Sequence, residues 1–302
     1  MSLIVTGSIG IDSVETPKGT AEDVLGGSSI YFAAAASFFG PVRLVGAVGD
    51  DFPDHFLDTF GHFNVDLAGL ERRDGSKTFR WRGRYHENMN HRDTVDVQLN
   101  VLAEKLPPVP NAYRDSRYVF LANTHPAGQL ELLDQFPDCQ LAVADTMDLW
   151  IETERKTLMQ LLARIDGLVL NNDEAEQLTG ESNLTHAAEK IVKMGPQFVV
   201  IKKGEHGALI EHTGAKVVLP AYPVRDVVDP TGAGDCFAGG FMGYLATADD
   251  LSTDTLRTAI AYGTITASFN IESFSLDRLT QTTRADIDRR LAEYCQMLRI
   301  GP

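Results

Sequence analysis

Short apolar runs at residues 3–5, 42–48, 118–122, 141–144, 167–170 and 198–201 recur between stretches with helical spacing. Runs this apolar leave no wet face. They predict a mostly parallel sheet covered by helices on both sides, a three-layer α/β fold.

Several helices mark their own ends. Thr283 followed by Asp286 has capping-box spacing, and Ile287, Leu291, Tyr294 and Leu298 continue on one face toward Gly301-Pro302. Residues 184–194 place Leu184, Ala187, Ala188, Ile191 and Val192 together before Gly195-Pro196 stops the turn. The segment 227–229 reads as a strand leading into a glycine turn and then a helix. One region breaks the rhythm: TFRWRGRY at 78–85 and VDVQLNV at 95–101 both alternate, with only HENMNHRDT between them. Consecutive strands without a helix predict a hairpin-like insert. It can serve as a flap over a pocket, or equally as a surface ribbon or dimer edge. No repeat or long linker divides the rest, so one main domain with a small β lid is expected.

Composition removes whole classes of function. A chain of 302 residues that is 43% hydrophobic and 23% charged has ample core, and a formal charge of −15 opposes a phosphate-backbone partner. Nucleic acid is not expected as a ligand. Cys139, Cys236 and Cys295 are odd in number, far apart and without metal spacing, which suits reduced thiols in a reducing compartment. The longest apolar stretch, IYFAAAASFFG at 30–40, is about half the roughly 20 residues of a spanning helix. MSLIVTGSIGID lacks a basic leader, so a soluble cytoplasmic protein with no membrane partner is expected.

Common catalytic patterns fail on inspection. GxxxxGK[ST] is absent, and GxGxxG fails at Phe237, where its third glycine would stand. His86 and His91 are one residue too far apart for HExxH, and Thr6 replaces the first glycine of GxSxG. The informative stretch is VVDPTGAGDCFAGGFMGYL at 227–245. Its glycine turn points backbone N–H groups into one space, and the helix that follows adds its positive end, so an anion is stabilised there without lysine. Asp235 would repel that anion unless it has a task of its own, such as general base for an attacking hydroxyl. The competing reading is an ordinary acid in the first turn of a helix.

DPTGAGDCFAGGF at 229–241 resembles the C-terminal signature of the ribokinase-like (PfkB-type) carbohydrate kinases. GSIGID at 7–12, Gly26-Gly27, VLNNDEAEQLTG at 169–180 and VVIKKGEHGALI at 199–210 are similar to further pieces of that family, in the same order. The resemblance implies a ribokinase-like fold, with lid segments near 12–25 and 76–101. It implies transfer of the ATP γ-phosphoryl group to a hydroxymethyl group of a sugar or sugar-like substrate. A nucleoside kinase is the alternative, and a non-catalytic ligand-binding relative the less favoured one.

Residue by residue, the resemblance makes Asp235 the base and the amides of Gly232, Ala233 and Gly234 the donors to the migrating phosphoryl group. Asn171 and Glu174 match N-x-x-E, which organises Mg²⁺ through water. Asp229 and Thr231 lie where relatives often hold a monovalent cation, with K⁺ an open option. Lys203, Gly204 and Gly207 match the ATP-side loop, and Asn270 the helix bordering adenine. On the substrate side stand Asp12, Gly26 and Gly27. Tyr31 replaces the asparagine that many sugar kinases carry, which exchanges a two-sided hydrogen-bonding amide for an aromatic ring. Arg82, with Arg80, Trp81 and Tyr85, suits an anionic sugar or a nucleobase, or else guards an edge strand from aggregation. A homodimer through the lid fits the same pattern.

Overall fold

A computed structural model describes residues 2–299. The strands are β1 (Leu3–Thr6), β2 (Gly10–Thr16), β3 (Gly19–Gly26), β4 (Val42–Gly49), β5 (Val65–Arg73), β6 (Phe79–Tyr85), β7 (Arg92–Gln98), β8 (Tyr118–Leu121), β9 (Leu141–Asp145), β10 (Gly167–Asn171), β11 (Phe198–Lys202), β12 (Ala208–His212) and β13 (Ala215–Leu219). They form a nine-stranded sheet ordered β13-β12-β11-β10-β9-β8-β1-β4-β5 and a four-stranded sheet ordered β3-β2-β6-β7. Pairing is parallel from β5 through β11, and β12 and β13 add an antiparallel end.

Each apolar run named above lies in a strand of the large sheet, and alternate residues feed opposite cores, as the two-residue period requires. Along β8, Tyr118 and Phe120 enter one core while Val119 and Leu121 enter the other. The first core is closed by the helices Ser28–Ser37, Ala233–Ala248 and Thr253–Asn270, with Phe32 stacked on Phe120 at 4.2 Å between ring centres. Helices Arg155–Leu162, Asn172–Thr179 and Leu184–Val192 cover the second. Thr283 and Asp286 form the expected capping box at the head of Arg284–Met297. The stop signal Gly301-Pro302 lies outside the described residues.

Two boundaries differ from the sequence reading. Residues 227–229 form no strand, because the N–H groups of Val228 and Asp229 are tied to the carbonyl of Ile271 at the end of a helix, and Pro230 has no N–H to offer a ladder. The second hairpin strand runs 92–98 rather than 95–101. It ends where Asn100 takes a left-handed φ of 47° and donates its side-chain amide to the Thr78 carbonyl at 2.8 Å.

The small sheet is seated on the large one by side-chain contacts on several sides. Thr16 Oγ1 donates to the Val228 carbonyl at 2.9 Å, Ser275 Oγ to the Leu25 carbonyl at 2.6 Å, and Asn90 Nδ2 to Glu205 Oε1 at 2.9 Å. The last contact joins the tip of the β6–β7 hairpin to the loop after β11, so the lid reaches across the carboxyl end of the large sheet. None of the described helices is long and apolar enough to cross a membrane.

Candidate active site

Three neighbouring parallel strands end in polar residues beneath this lid. Asp145 ends β9, Asn171 ends β10 and Lys202 ends β11, each after a run of buried apolar side chains, and Asn171 and Lys202 are register partners. In open α/β sheets the carboxyl ends of the strands are where ligands bind. The loop that leads into helix Ala233–Ala248 reaches the same end of the sheet.

That loop is shaped by what lies against it. Gly232 has φ 74°, and a Cβ there would come within 2.3 Å of the Tyr31 ring. A Cβ on Gly234 would meet Lys202 Nζ at 2.7 Å, so the ammonium group rests directly on the turn. The Ala233 N–H already donates to the Pro230 carbonyl at 3.1 Å. The amides of Gly232 and Gly234 have no such partner, and the donor set is therefore narrower than the sequence reading, which counted Ala233. Together with Lys202 and the positive end of a 16-residue helix, they form a compact electropositive cradle.

Asp235 stands in the first turn of this helix, half-buried. Burial raises its carboxyl to about 6, against the opposing pull of Lys202 and Arg92. Asp145 is raised well above the usual range, first by burial and then by the charge of Asp235. One Asp145 oxygen is buried without a partner. Asn171 and Glu174 exchange hydrogen bonds in a capping box, the Asn171 side chain accepting from the Glu174 N–H at 2.8 Å and Glu174 Oε2 accepting from the Asn171 N–H at 2.7 Å. Among the described residues Glu174 Oε1 makes no hydrogen bond.

On the lid side, Asp12 lies mid-strand in β2 and is 3% exposed. Gly26 admits it, since a Cβ there would sit 1.9 Å from Asp12 Oδ2, and the nearby Gly27 N–H draws the carboxyl down against burial. Asp12 pairs with Trp81 across β2 and β6, and Tyr85 Oη lies 3.2 Å from Thr231 Oγ1, so Asp12, Trp81 and Tyr85 share the face turned to the cradle. Arg92 on β7 joins this face and stacks its guanidinium 5.4 Å from the Trp81 ring centre.

Several residues expected from the sequence at the site, such as Arg82, lie elsewhere, and three that stand in it, Asp145, Lys202 and Arg92, were not singled out in the sequence. Arg82 is on the opposite lid face, paired with Glu22 at 2.6 Å, and Arg80 and Arg84 are likewise paired with Asp23 and Glu15. The two-residue period puts them there. Lys202, not Lys203, touches the cradle. Gly204 lies under the lid tip, 3.6 Å from Asn90 Oδ1 at its built Cβ, and Gly207 turns the chain against the Leu219 carbonyl. Asn270, 1% exposed, donates to the Thr231 carbonyl at 2.7 Å and so braces the cradle segment from below. Asp229, 1% exposed, accepts from the Thr231 N–H at 2.8 Å. Lys202, inside the stretch 199–210 but not singled out there, and Asp145 each close an otherwise apolar buried strand, which is itself a signal.

The acids set a pH dependence of stability. Burial raises Asp12 to about 7 and Asp229 to about 6. A carboxyl raised on folding holds extra protons in the native state, so its contribution is complete below about 4 and is lost as pH climbs through the folded value. The ligand-free protein should lose thermal stability between pH 4 and 7. Asp12→Asn should raise the melting temperature at pH 8 by about 4 °C and flatten the profile, as read by differential scanning fluorimetry.

A carboxylate beside a cationic, amide-lined turn, facing a second carboxylate under a lid, is an arrangement suited to transferring an anionic group to an alcohol. The family model for pfkB family carbohydrate kinases matches residues 134–283. The cytidine kinase of Thermococcus kodakarensis is 32% identical over 251 residues, covering 80% of this chain and 87% of that protein. The chain belongs to the pfkB family of carbohydrate kinases. Its fold is shared with the nucleoside kinase of Burkholderia thailandensis in complex with ADP-inosine, at TM-score 0.79, 18% identity, 97% of this chain and 95% of that one. It is shared equally with the aminoimidazole riboside kinase of Salmonella enterica complexed with aminoimidazole riboside and an ATP analogue, at TM-score 0.76, 22% identity, 96% of this chain and 99% of that one.

Proposed function

We propose that this kinase phosphorylates the hydroxymethyl group of a ribonucleoside, with ATP as donor. The observation that carries the choice of nucleoside over free sugar is the register pairing of Asp12 with Trp81. It sets an acceptor for ribose hydroxyls beside an indole ring whose face Arg92 covers in the free protein and a base would take over on binding. The cytidine kinase relative points the same way.

In this reading Asp235 takes the proton of the attacking hydroxyl. The new O–P bond forms as the bond from the γ-phosphorus to the β–γ bridging oxygen breaks, and ADP leaves with that electron pair. The Gly232 and Gly234 amides and Lys202 stabilise the charge on the migrating group, a contribution typically worth about 3 kcal/mol per well-placed donor. Glu174 Oε1 and the unpartnered Asp145 oxygen would hold a magnesium ion that keeps its waters. Bound there, the ion neutralises phosphate charge. Asp229 with Thr231 is the proposed seat of a monovalent cation such as K⁺. Val95 and Val97, each 50% exposed on the lid-edge strand, support a homodimer through the lid.

Closure by the lid delivers Arg92 to the phosphates. Its charge already acts on both Asp235 and Glu174. Arg92→Gln should lower kcat about tenfold and leave nucleoside affinity within about twofold, by steady-state kinetics and calorimetry. The reading as a whole is tested by ATP turnover with cytidine, uridine, inosine and adenosine against ribose and fructose. Preference for a free sugar would replace nucleoside by sugar. Binding without turnover on any acceptor would favour a non-catalytic relative.

A further inference from the structure

Along β6 the side chains turned to the cradle belong to the series Phe79, Trp81, Gly83 and Tyr85, and one place in that series has no side chain. The Trp81 indole fills it. A Cβ on Gly83 would fall 2.0 Å from Trp81 Cη2, 2.3 Å from Cζ2 and 2.8 Å from Cζ3, so the six-membered ring lies across the bare backbone. Among the described residues of β6 and β7, Gly83 alone is buried. A second contact holds the ring in this seat. The β6–β7 register shifts between Arg82 and Gly83, which sets Thr94 opposite Gly83, and Thr94 Oγ1 accepts from Trp81 Nε1 at 3.3 Å.

A glycine inside a strand weakens it and marks a place where something must come close to the backbone. Here that something is an aromatic ring laid along the strand, which presents a broad face where an upright ring would present an edge. A base stacks on a face. We propose that Gly83 is a positioning residue that, through Trp81, makes this lid favour a substrate bearing a base over a bare sugar. This rests on the nucleoside reading above. A methyl group at position 83 pushes the far end of the indole off the strand and draws Nε1 away from Thr94. The backbone needs no change to accept it, because Gly83 has no left-handed φ.

The test measures, by calorimetry, the binding of ribose and of whichever of cytidine, uridine, inosine and adenosine binds best. Native protein, Gly83→Ala, Trp81→Leu and the double variant are compared. Gly83→Ala should weaken the nucleoside about tenfold, leave ribose within about twofold and keep the melting temperature within about 2 °C. On the Trp81→Leu background the same change should alter nucleoside binding by less than about twofold, since no ring is left to lift. Trp150→Phe leaves Trp81 as the one tryptophan, and in that protein Gly83→Ala should shift the emission to the red as the indole lifts into water. Equal losses on nucleoside and ribose, the same loss without Trp81, or unmoved emission overturns the assignment. A native preference for the nucleoside that Gly83→Ala leaves intact overturns it alone, whereas a native protein that binds ribose as tightly as every nucleoside overturns the nucleoside reading along with it.

Discussion

Asp235→Asn is expected to lower kcat by about 10³-fold while leaving both ligands able to bind. The amide keeps the size and the place in the first helical turn but takes no proton from the alcohol. Asp235 is raised to about 6 by burial, so its charge is unfavourable to the ligand-free fold above that pH. The variant should therefore melt higher than the native protein at pH 8, not lower. Loss of activity with gain of stability separates a catalytic carboxylate from a structural cap. Activity within about tenfold of native would remove Asp235 from the mechanism.

Lys202→Met should cost about 10²-fold or more in kcat/KM for ATP, since it removes the cation resting on Gly234. A second readout comes from the acid limb of the pH–rate profile. Lys202 pulls the Asp235 carboxyl down against burial, and the base works only when ionised, so native activity should rise with pH through about 6. Without Lys202 the limb should move to higher pH. A rate loss with an unmoved limb would mean that Lys202 holds phosphate without tuning the base. Lys203→Met, one residue along and off the cradle, should stay within about threefold of native on both measures.

Much of the fold was legible because its signals are local. Apolar runs mark six of the nine strands of the large sheet, and Thr283 with Asp286 marks its helix start, since both depend on a few consecutive residues. The pairing of β2 and β3 with the 79–98 hairpin was harder to read. β6 lies parallel to β2, a strand far away in sequence, and only that contact creates the four-stranded lid. The strand read at 227–229 failed for a related reason, because its N–H groups are claimed by Ile271 on a distant helix.

The chain by itself determined which chemistry is present: a glycine turn with an acid at the head of a helix, an Asn–Glu capping pair, and glycines that let Asp12 lie close to the backbone. Tertiary structure decided which neighbours share it. Along a strand successive side chains point to opposite sides, so choosing Trp81 over Arg82 depends on how strands are registered in a sheet. Where a strand ends is likewise set by packing, which puts Lys202 rather than Lys203 against Gly234. Asp145 came to the site only when β9 was laid beside β10, because a lone carboxylate becomes part of a site through the charges that surround it.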